Sequence, residues 1–466
     1  MTRLVWKDLL SEERTRPLLG GPPSLKSEKE KRTEFERDYG RTIYSAPFRR
    51  LKQKAQVFPL EPSDYVRTRL IHSQEVSSVA EDVAFQITRA VDELQKVETK
   101  LRDAIPLVAA TCGLIHDLGN PPFGHAGELA ISSWFDDRLK KDSNFLDGLS
   151  DQQKQDFLRF EGNAHTVRII SHLFLLADHY GLNYTSSTFS AARKYLPASH
   201  RTKAVHSRSK PGHFSSEQTV IDIVGPKTGT LDSRHPLAIL VEAADDMVYC
   251  VVDLEDGIKR KVLEWRQVEE YLRTECSGNR VFDEAIKLAQ RQIEPAGFSG
   301  PSKGEAMAQA FRIAAISEMA IAAKEIFAKR YEEIMDGHYD DELLLDKDCE
   351  AMPLVRACKT FGSKYLYTYS DILKLEIRGR RVIHDLMDLF WEAVENLDAA
   401  SVPPKTKDYP GKLYHLISDN YRRVFEKRLR DGQENAKYCK LQLVTDYIAG
   451  MTDPFACRLH KDLING

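Results

Sequence analysis

The chain has 466 residues, 42 % of them apolar and 29 % charged, a globular composition that excludes a disordered or fibrous protein. Its formal net charge of −3 gives no electrostatic case for a dedicated nucleic-acid binder. Its seven cysteines form no CxxC pair, which fits reduced thiols in a cytoplasm better than a disulfide framework.

In chain order, "MTRLVWKDLLSEERTRP" is charged and lacks the apolar core of a signal peptide. No run approaches the roughly 18 apolar residues of a membrane span, so a cytoplasmic protein is expected. Residues 11–35 are polar around Gly-Gly-Pro-Pro, which predicts a loosely attached stretch in an N-terminal arm over 1–35. From His72, apolar residues recur at Val76, Val79, Val83 and Ile87, a helical spacing. "AIPLVAATCGLIHDLG" is almost wholly apolar up to His116 and predicts a buried helix ending at Gly119. A Pro121-Pro122 break follows, and "AGELAISSWFDDRL" restarts a helix. Residues 190–216, rich in Ser, Lys, Arg and His, predict a surface loop. "QTVIDIVG" (218–225), followed by the turn signal "PKTG", predicts a strand in a minor β hairpin. "HPLAILVEAADDMVYCVVDLEDGI" predicts a long helix with Pro236 near its start. Helical patterning returns over 280–466. The fold class is all-α.

The stretch "HDLGNPPFGHAGE" sets His116, Asp117, His125 and Glu128 around a forced bend. Asp245, Tyr249 and Asp253 recur at i, i+4 and i+8 and line one helix face, drifting about 40° per step. That face interrupts an otherwise buried apolar sequence. Buried carboxylates without partners are costly, so they require a cation, a cavity or donors. A metal satisfies a buried His-Asp pair, because it neutralises the carboxylate and accepts a neutral imidazole. Read from the residues alone, polar trim at helix ends accounts for these groups as well.

The ordered set His72, His116-Asp117 and Asp245 resembles the HD-domain metal phosphohydrolases. The longer stretches "RLIHSQEV", "HDLGNPPFGHAGE", "FEGNAHTVRI" and "EAADDMVYCVVDLEDG" resemble bacterial deoxyguanosine triphosphate triphosphohydrolases over residues 41–260, and the remainder resembles them more diffusely. The resemblance implies an HD-domain catalytic core over 36–275 and a C-terminal helical region over 276–466 that completes the substrate pocket. It makes His72, His116, Asp117 and Asp245 ligands of a divalent metal, Mn²⁺ or Mg²⁺ or another transition ion, with Asp246 outside the ligand set. His125 and Glu128 become the catalytic pair, with the carboxylate fixing the imidazole. Gln56 and Val57 would touch sugar and base, Arg69 and the Lys194-Tyr195 pair the phosphates, and Tyr249 and Asp253 the deoxyribose. Asn120, Glu161 and Asn163 would line the pocket, and Glu376 in "EIRGRRVI" would read guanine. The activity implied is release of tripolyphosphate from dGTP or other dNTPs by water attack at the α-phosphorus. The competing readings are an HD nucleotidase or phosphodiesterase on other nucleotides, and a dNTP- or DNA-binding regulator with vestigial activity. The implied partners are further copies of the chain, in a homo-oligomer such as a hexamer, and single-stranded DNA as an effector. "HRTKAVHSRSK" is a basic stretch suited to DNA.

Overall fold

The computed structural model describes residues 3–464 apart from 25–26, 28, 59, 61–65, 174–179, 204–205 and 298–299. The expected all-α fold holds: helices follow one another along the chain, and the β pairing among the described residues is limited to three isolated bridges. The elements that matter for the site are α1 (Arg69–Ala90), α2 (Thr99–Ile115), α3 (Gly124–Lys141), α4 (Gln218–Thr228), α5 (Pro236–Lys259), α6 (Gly300–Lys329), α7 (Met352–Phe361), α8 (Ser370–Glu392), α9 (Ala436–Ala449) and α10 (Asp453–Ile464).

Two apolar cores organise these helices. One is built from α1, α5, α6 and the first part of α2, the other from α3, α8, α9 and neighbouring helices. Helix α2 passes between them, with Val108, Ala109 and Cys112 in the first core and Leu114, Ile115 and Leu118 in the second. His116 and Asp117 therefore lie at the seam.

The close approach of α1 to α2 has a local cause. Ser73, Ser77, Ala80 and Ala84 make the buried stripe of α1 narrow, and Ser77 Oγ donates to the Ala110 carbonyl at 2.8 Å. A Cβ on Gly113 would stand 2.6 Å from the Ser77 Cα, so only glycine permits this packing. One turn beyond it, the rings of His72 and His116 come within 5.3 Å, centroid to centroid.

Three expectations are corrected. Residues 218–225 belong to a helix, α4, and not to a hairpin strand. Val220, Ile221, Val224, Gly225 and Thr228 are its buried positions while Thr219, Asp222, Pro226 and Lys227 face out, a helical period that the β-branched content obscures. The turn signal "PKTG" ends this helix: Gly229 caps it at φ 70°. The N-terminal arm is anchored: Leu4, Trp6 and Leu9 enter the first core, and buried Arg14 donates to Glu34, to Asp38 (2.9 Å) and to the Asn183 carbonyl. Residues 190–199 and 211–216 are largely buried, with Arg193, Leu196, Ser199 and His213 inside, whereas the described residues of 200–210 are exposed or half-buried, as expected of a surface loop; residues 204–205 of the basic stretch lie outside the described residues.

Helix Ser302–Lys329 is apolar and long enough to cross a membrane by length and composition, but 61 % of its apolar window is buried inside the protein.

Candidate metal centre and phosphate cavity

Helix α1 presents His72, the end of α2 presents His116 and Asp117, and α5 presents Asp245. His72, His116 and Asp245 bring donor atoms within 4.8 Å of one another. His72 Nε2 lies 3.0 Å from Asp245 Oδ1, and His116 Nε2 lies 3.6 Å from the same oxygen and 3.5 Å from Asp117 Oδ2. His116 Nδ1 sits 2.7 Å from the Gly113 carbonyl, to which it donates. That bond points Nε2 at the carboxylates, where it is buried without a hydrogen bond among the described residues. Burial opposes a charge on this ring, yet Asp117 and Asp245 hold its pKa up at about 9. Burial likewise opposes the Asp245 carboxylate, and the imidazoles with Lys194 bring it down to about 2. A centre whose field favours positive charge this strongly, with two imidazoles and carboxylate oxygens converging, fits a divalent cation. His72, His116 and Asp245 have the geometry to hold one.

Asp117 is beside this group with both oxygens engaged. Arg69 donates to Oδ2 at 2.5 Å and Asn120 Nδ2 to Oδ1 at 2.6 Å. Each carboxylate oxygen has a second lone pair, so these bonds orient the group toward His116 without exhausting it. Arg69 is thus tied to a carboxylate and to the Ala55 carbonyl (3.1 Å), not extended toward open space. Asp246 turns away and pairs with Lys359 at 2.9 Å.

The Pro-Pro bend ends at Phe123, held at φ 66°, and α3 starts at Gly124. His125 Nδ1 lies 2.7 Å from Glu128 Oε2, and Glu128 Oε1 accepts from the Gly162 amide at 2.8 Å. The glutamate is buried and the imidazole stands open to solvent. The hydrogen bond to Glu128 raises the His125 pKa despite partial desolvation of the ring.

A cavity of about 180 Å³ joins these groups, and His116, Asp117, Asn120, His125, Asn163 and Asp245 all border it. Lys194 and Tyr195 border it too. Lys194 pairs with buried Glu242 at 3.4 Å, and it holds that carboxyl well below its ordinary range against the cost of burial. Lys210 also borders the cavity, lies over the Tyr195 ring and pairs with Glu161 at 3.3 Å. The sequence reading missed Lys210; the one signal for it is its place in the basic stretch.

Further along α5, Tyr249 stacks on Tyr367 with ring centroids 6.2 Å apart, and Tyr367 donates to Asp253 Oδ2 at 2.7 Å. Among the described residues neither Asp253 Oδ1 nor Gln56 Oε1, both buried, finds a hydrogen-bond partner. Burial pushes the Asp253 carboxyl up to about 8. Tyr367 has no signature in the sequence, because it reaches Asp253 from a distant segment. Val57 packs at the edge of the first core. Glu376 does not border the cavity: it lies in a separate groove of about 700 Å³ between α3 and α8, which meets the cavity wall at Lys210.

Residues 405–462 match the phosphohydrolase-associated domain family. A deoxyguanosinetriphosphate triphosphohydrolase-like protein of Listeria innocua is 36 % identical over 98 % of this chain and 99 % of its own length. One of Synechocystis is 33 % identical over 98 % of each. A deoxyguanosinetriphosphate triphosphohydrolase of Serratia proteamaculans is 30 % identical over 92 % of this chain and 94 % of its own. Matched end to end at these identities, the chain is a hydrolase and belongs to the deoxyguanosinetriphosphate triphosphohydrolase family.

Proposed function

We propose that the protein hydrolyses dNTPs, dGTP first among them, to deoxynucleoside and tripolyphosphate in a reaction that depends on a divalent metal. The observation that carries this reading is the cavity itself: His116 and Asp245, which with His72 form the cation group, border it together with lysines 194 and 210 and His125, the partner of Glu128. Three features are thereby brought together that α-phosphoryl transfer to water requires: a cation site, charge for a triphosphate and an acid–base group.

In this reading His72, His116, Asp117 and Asp245 hold Mn²⁺ or Mg²⁺, which supplies positive charge against the phosphoryl oxygens. Arg69 and Asn120 fix the Asp117 carboxylate. Lys194, Tyr195 and Lys210 take the β- and γ-phosphates. Water attacks the α-phosphorus and loses one proton to solvent, from which His125 is later reprotonated, and the bond to the 5′ oxygen breaks. The His125 imidazolium, held charged by Glu128, gives its proton to that leaving oxygen, so the nucleoside departs as an alcohol. Asp253 Oδ1 and Gln56 Oε1, acceptors without partners among the described residues, suit the 3′-hydroxyl of the sugar, and the Tyr249 ring excludes a 2′-hydroxyl. A cytoplasmic homo-oligomer is part of the same reading.

The test is incubation with each of the four dNTPs and GTP under Mn²⁺ and Mg²⁺, with products separated by chromatography. Tripolyphosphate with deoxynucleoside is the expected pair. Orthophosphate or a nucleoside monophosphate would favour another HD phosphohydrolase activity, and no turnover a binding role.

A further inference from the structure

The turn between α9 and α10 lies within the phosphohydrolase-associated segment and borders none of the cavity. It nonetheless makes three bonds to the two loops that frame the site, and a fourth joins those loops to each other. Asp453, 1 % exposed, accepts the Phe123 amide on Oδ1 at 3.1 Å and the Ala55 amide on Oδ2 at 3.0 Å. Buried Lys54 donates both to the Asn120 carbonyl and, at 3.1 Å, to the Ala449 carbonyl. Burial alone would strip charge from that lysine, whose pKa falls to about 7.

These bonds continue inward. Ala55, held by its amide, accepts Arg69 Nε on its carbonyl, and Arg69 in turn grips Asp117. Phe123, held in a left-handed conformation that is unfavourable for a bulky residue, immediately precedes the helix that carries His125 and Glu128. Asn120, whose carbonyl Lys54 grips, orients Asp117 through its side chain. Each tie from the turn ends within two residues or two hydrogen bonds of a group of the site. A carboxylate with both oxygens committed to backbone amides, in two loops far apart in sequence, fixes their separation more strictly than apolar packing does.

We propose that Asp453 is a positioning residue of the metal and phosphate site, setting Asp117 through Ala55 and Arg69 and setting His125 through Phe123. The phosphohydrolase-associated segment is then a brace for the catalytic loops. The proposal rests on the reading of the site as a metal-dependent dNTP hydrolase.

The test uses the full-length chain with Asp453→Asn, in which one oxygen becomes an NH₂ group opposing a backbone N–H. Mn²⁺ binding is read by electron paramagnetic resonance of the free ion, without turnover, beside kcat, KM for dGTP and the melting temperature. The expected result is a folded variant with Mn²⁺ affinity and kcat each weakened roughly 10-fold, the scale of lost outer-sphere support, and KM little changed. Unchanged Mn²⁺ affinity and kcat per folded molecule would overturn the proposal, as would a loss confined to the melting temperature. Should Asp453→Asn fail to fold, Lys54→Met decides on the same readouts; failure of both to fold would place the contact in folding and end the positioning assignment. If the wild type hydrolyses no dNTP, the functional reading fails, while the shift in Mn²⁺ binding still reports on Asp453.

Discussion

Gly162 begins the helix Gly162–Arg168 with its Cα against the functional side chains. A Cβ there would stand 2.2 Å from Asn120 Oδ1 and 2.7 Å from Glu128 Oε1. Both atoms are ends of side chains, so Gly162→Ala is accommodated by displacing them, and the backbone stays in place. The displacement breaks the 2.6 Å bond that orients Asp117 and disturbs the Glu128 carboxylate that holds His125 at 2.7 Å. A hydrogen bond to a charged group is worth about 1.5–3 kcal/mol. At about 1.4 kcal/mol per tenfold in rate, loss of one such bond in the transition state lowers kcat by roughly 10–100-fold. Global stability falls by at most about 1–3 kcal/mol, the usual cost of overpacking. Steady-state dGTP hydrolysis at saturating Mn²⁺, beside calorimetric melting, separates the two effects. A folded Gly162→Ala variant with wild-type kcat would refute the reasoning that Asn120 and Glu128 act through the positions seen here.

Asp245→Asn is expected to lose bound divalent ion and activity together while staying folded, whereas Asp246→Asn, whose carboxylate pairs with Lys359, keeps the ion; Mn²⁺ titration checks both. His125→Ala keeps the metal and loses roughly 10²–10⁴-fold in kcat, measured at saturating dGTP. Because the Glu128 bond raises the His125 pKa, the acid form persists above the ring's ordinary range and is lost as pH rises through the raised value. Glu128→Gln therefore moves the alkaline limb of the kcat–pH profile toward lower pH, and an unmoved limb would exclude His125 as its source. Tyr249→Ala is expected to narrow the dGTP/GTP ratio of kcat/KM by roughly 10²-fold, chiefly by admitting GTP; an unchanged ratio would move the gate to Asp253 or Tyr367.

Legibility in the sequence followed distance along the chain. His72, His116 and Asp245 each sit in a short stretch with a strong local pattern, and helical spacing was enough to place Tyr249 and Asp253 on the face of Asp245. His125 and Glu128, three residues apart, meet because a helix makes i and i+3 neighbours. Lys54, Tyr367 and Asp453 were not legible, since each acts through a partner more than 60 positions away and carries no local signature. The strand expected at 218–225 failed for the opposite reason: Val220, Ile221, Ile223 and Val224 carry a strong local β preference, and burial of one helical face overrides it. The basic composition of 190–216 suggested solvent, which holds for most of the described residues of 200–210, but Lys194 is drawn inward by Glu242, and the half-exposed Lys210 pairs with Glu161 at the cavity edge. Glu376 shows the limit of assigning a contact from a helical motif, since α8 turns that carboxylate into a neighbouring groove.

The central claim is that water attacks the α-phosphorus and the 5′ oxygen leaves with the nucleoside. Hydrolysis of dGTP in heavy-oxygen water, with both products analysed by mass spectrometry, tests it most directly. The account predicts deoxyguanosine without label and tripolyphosphate carrying one labelled oxygen per turnover. Label in the 5′-hydroxyl of deoxyguanosine, or a nucleotide product with labelled phosphate or diphosphate beside it, would contradict it.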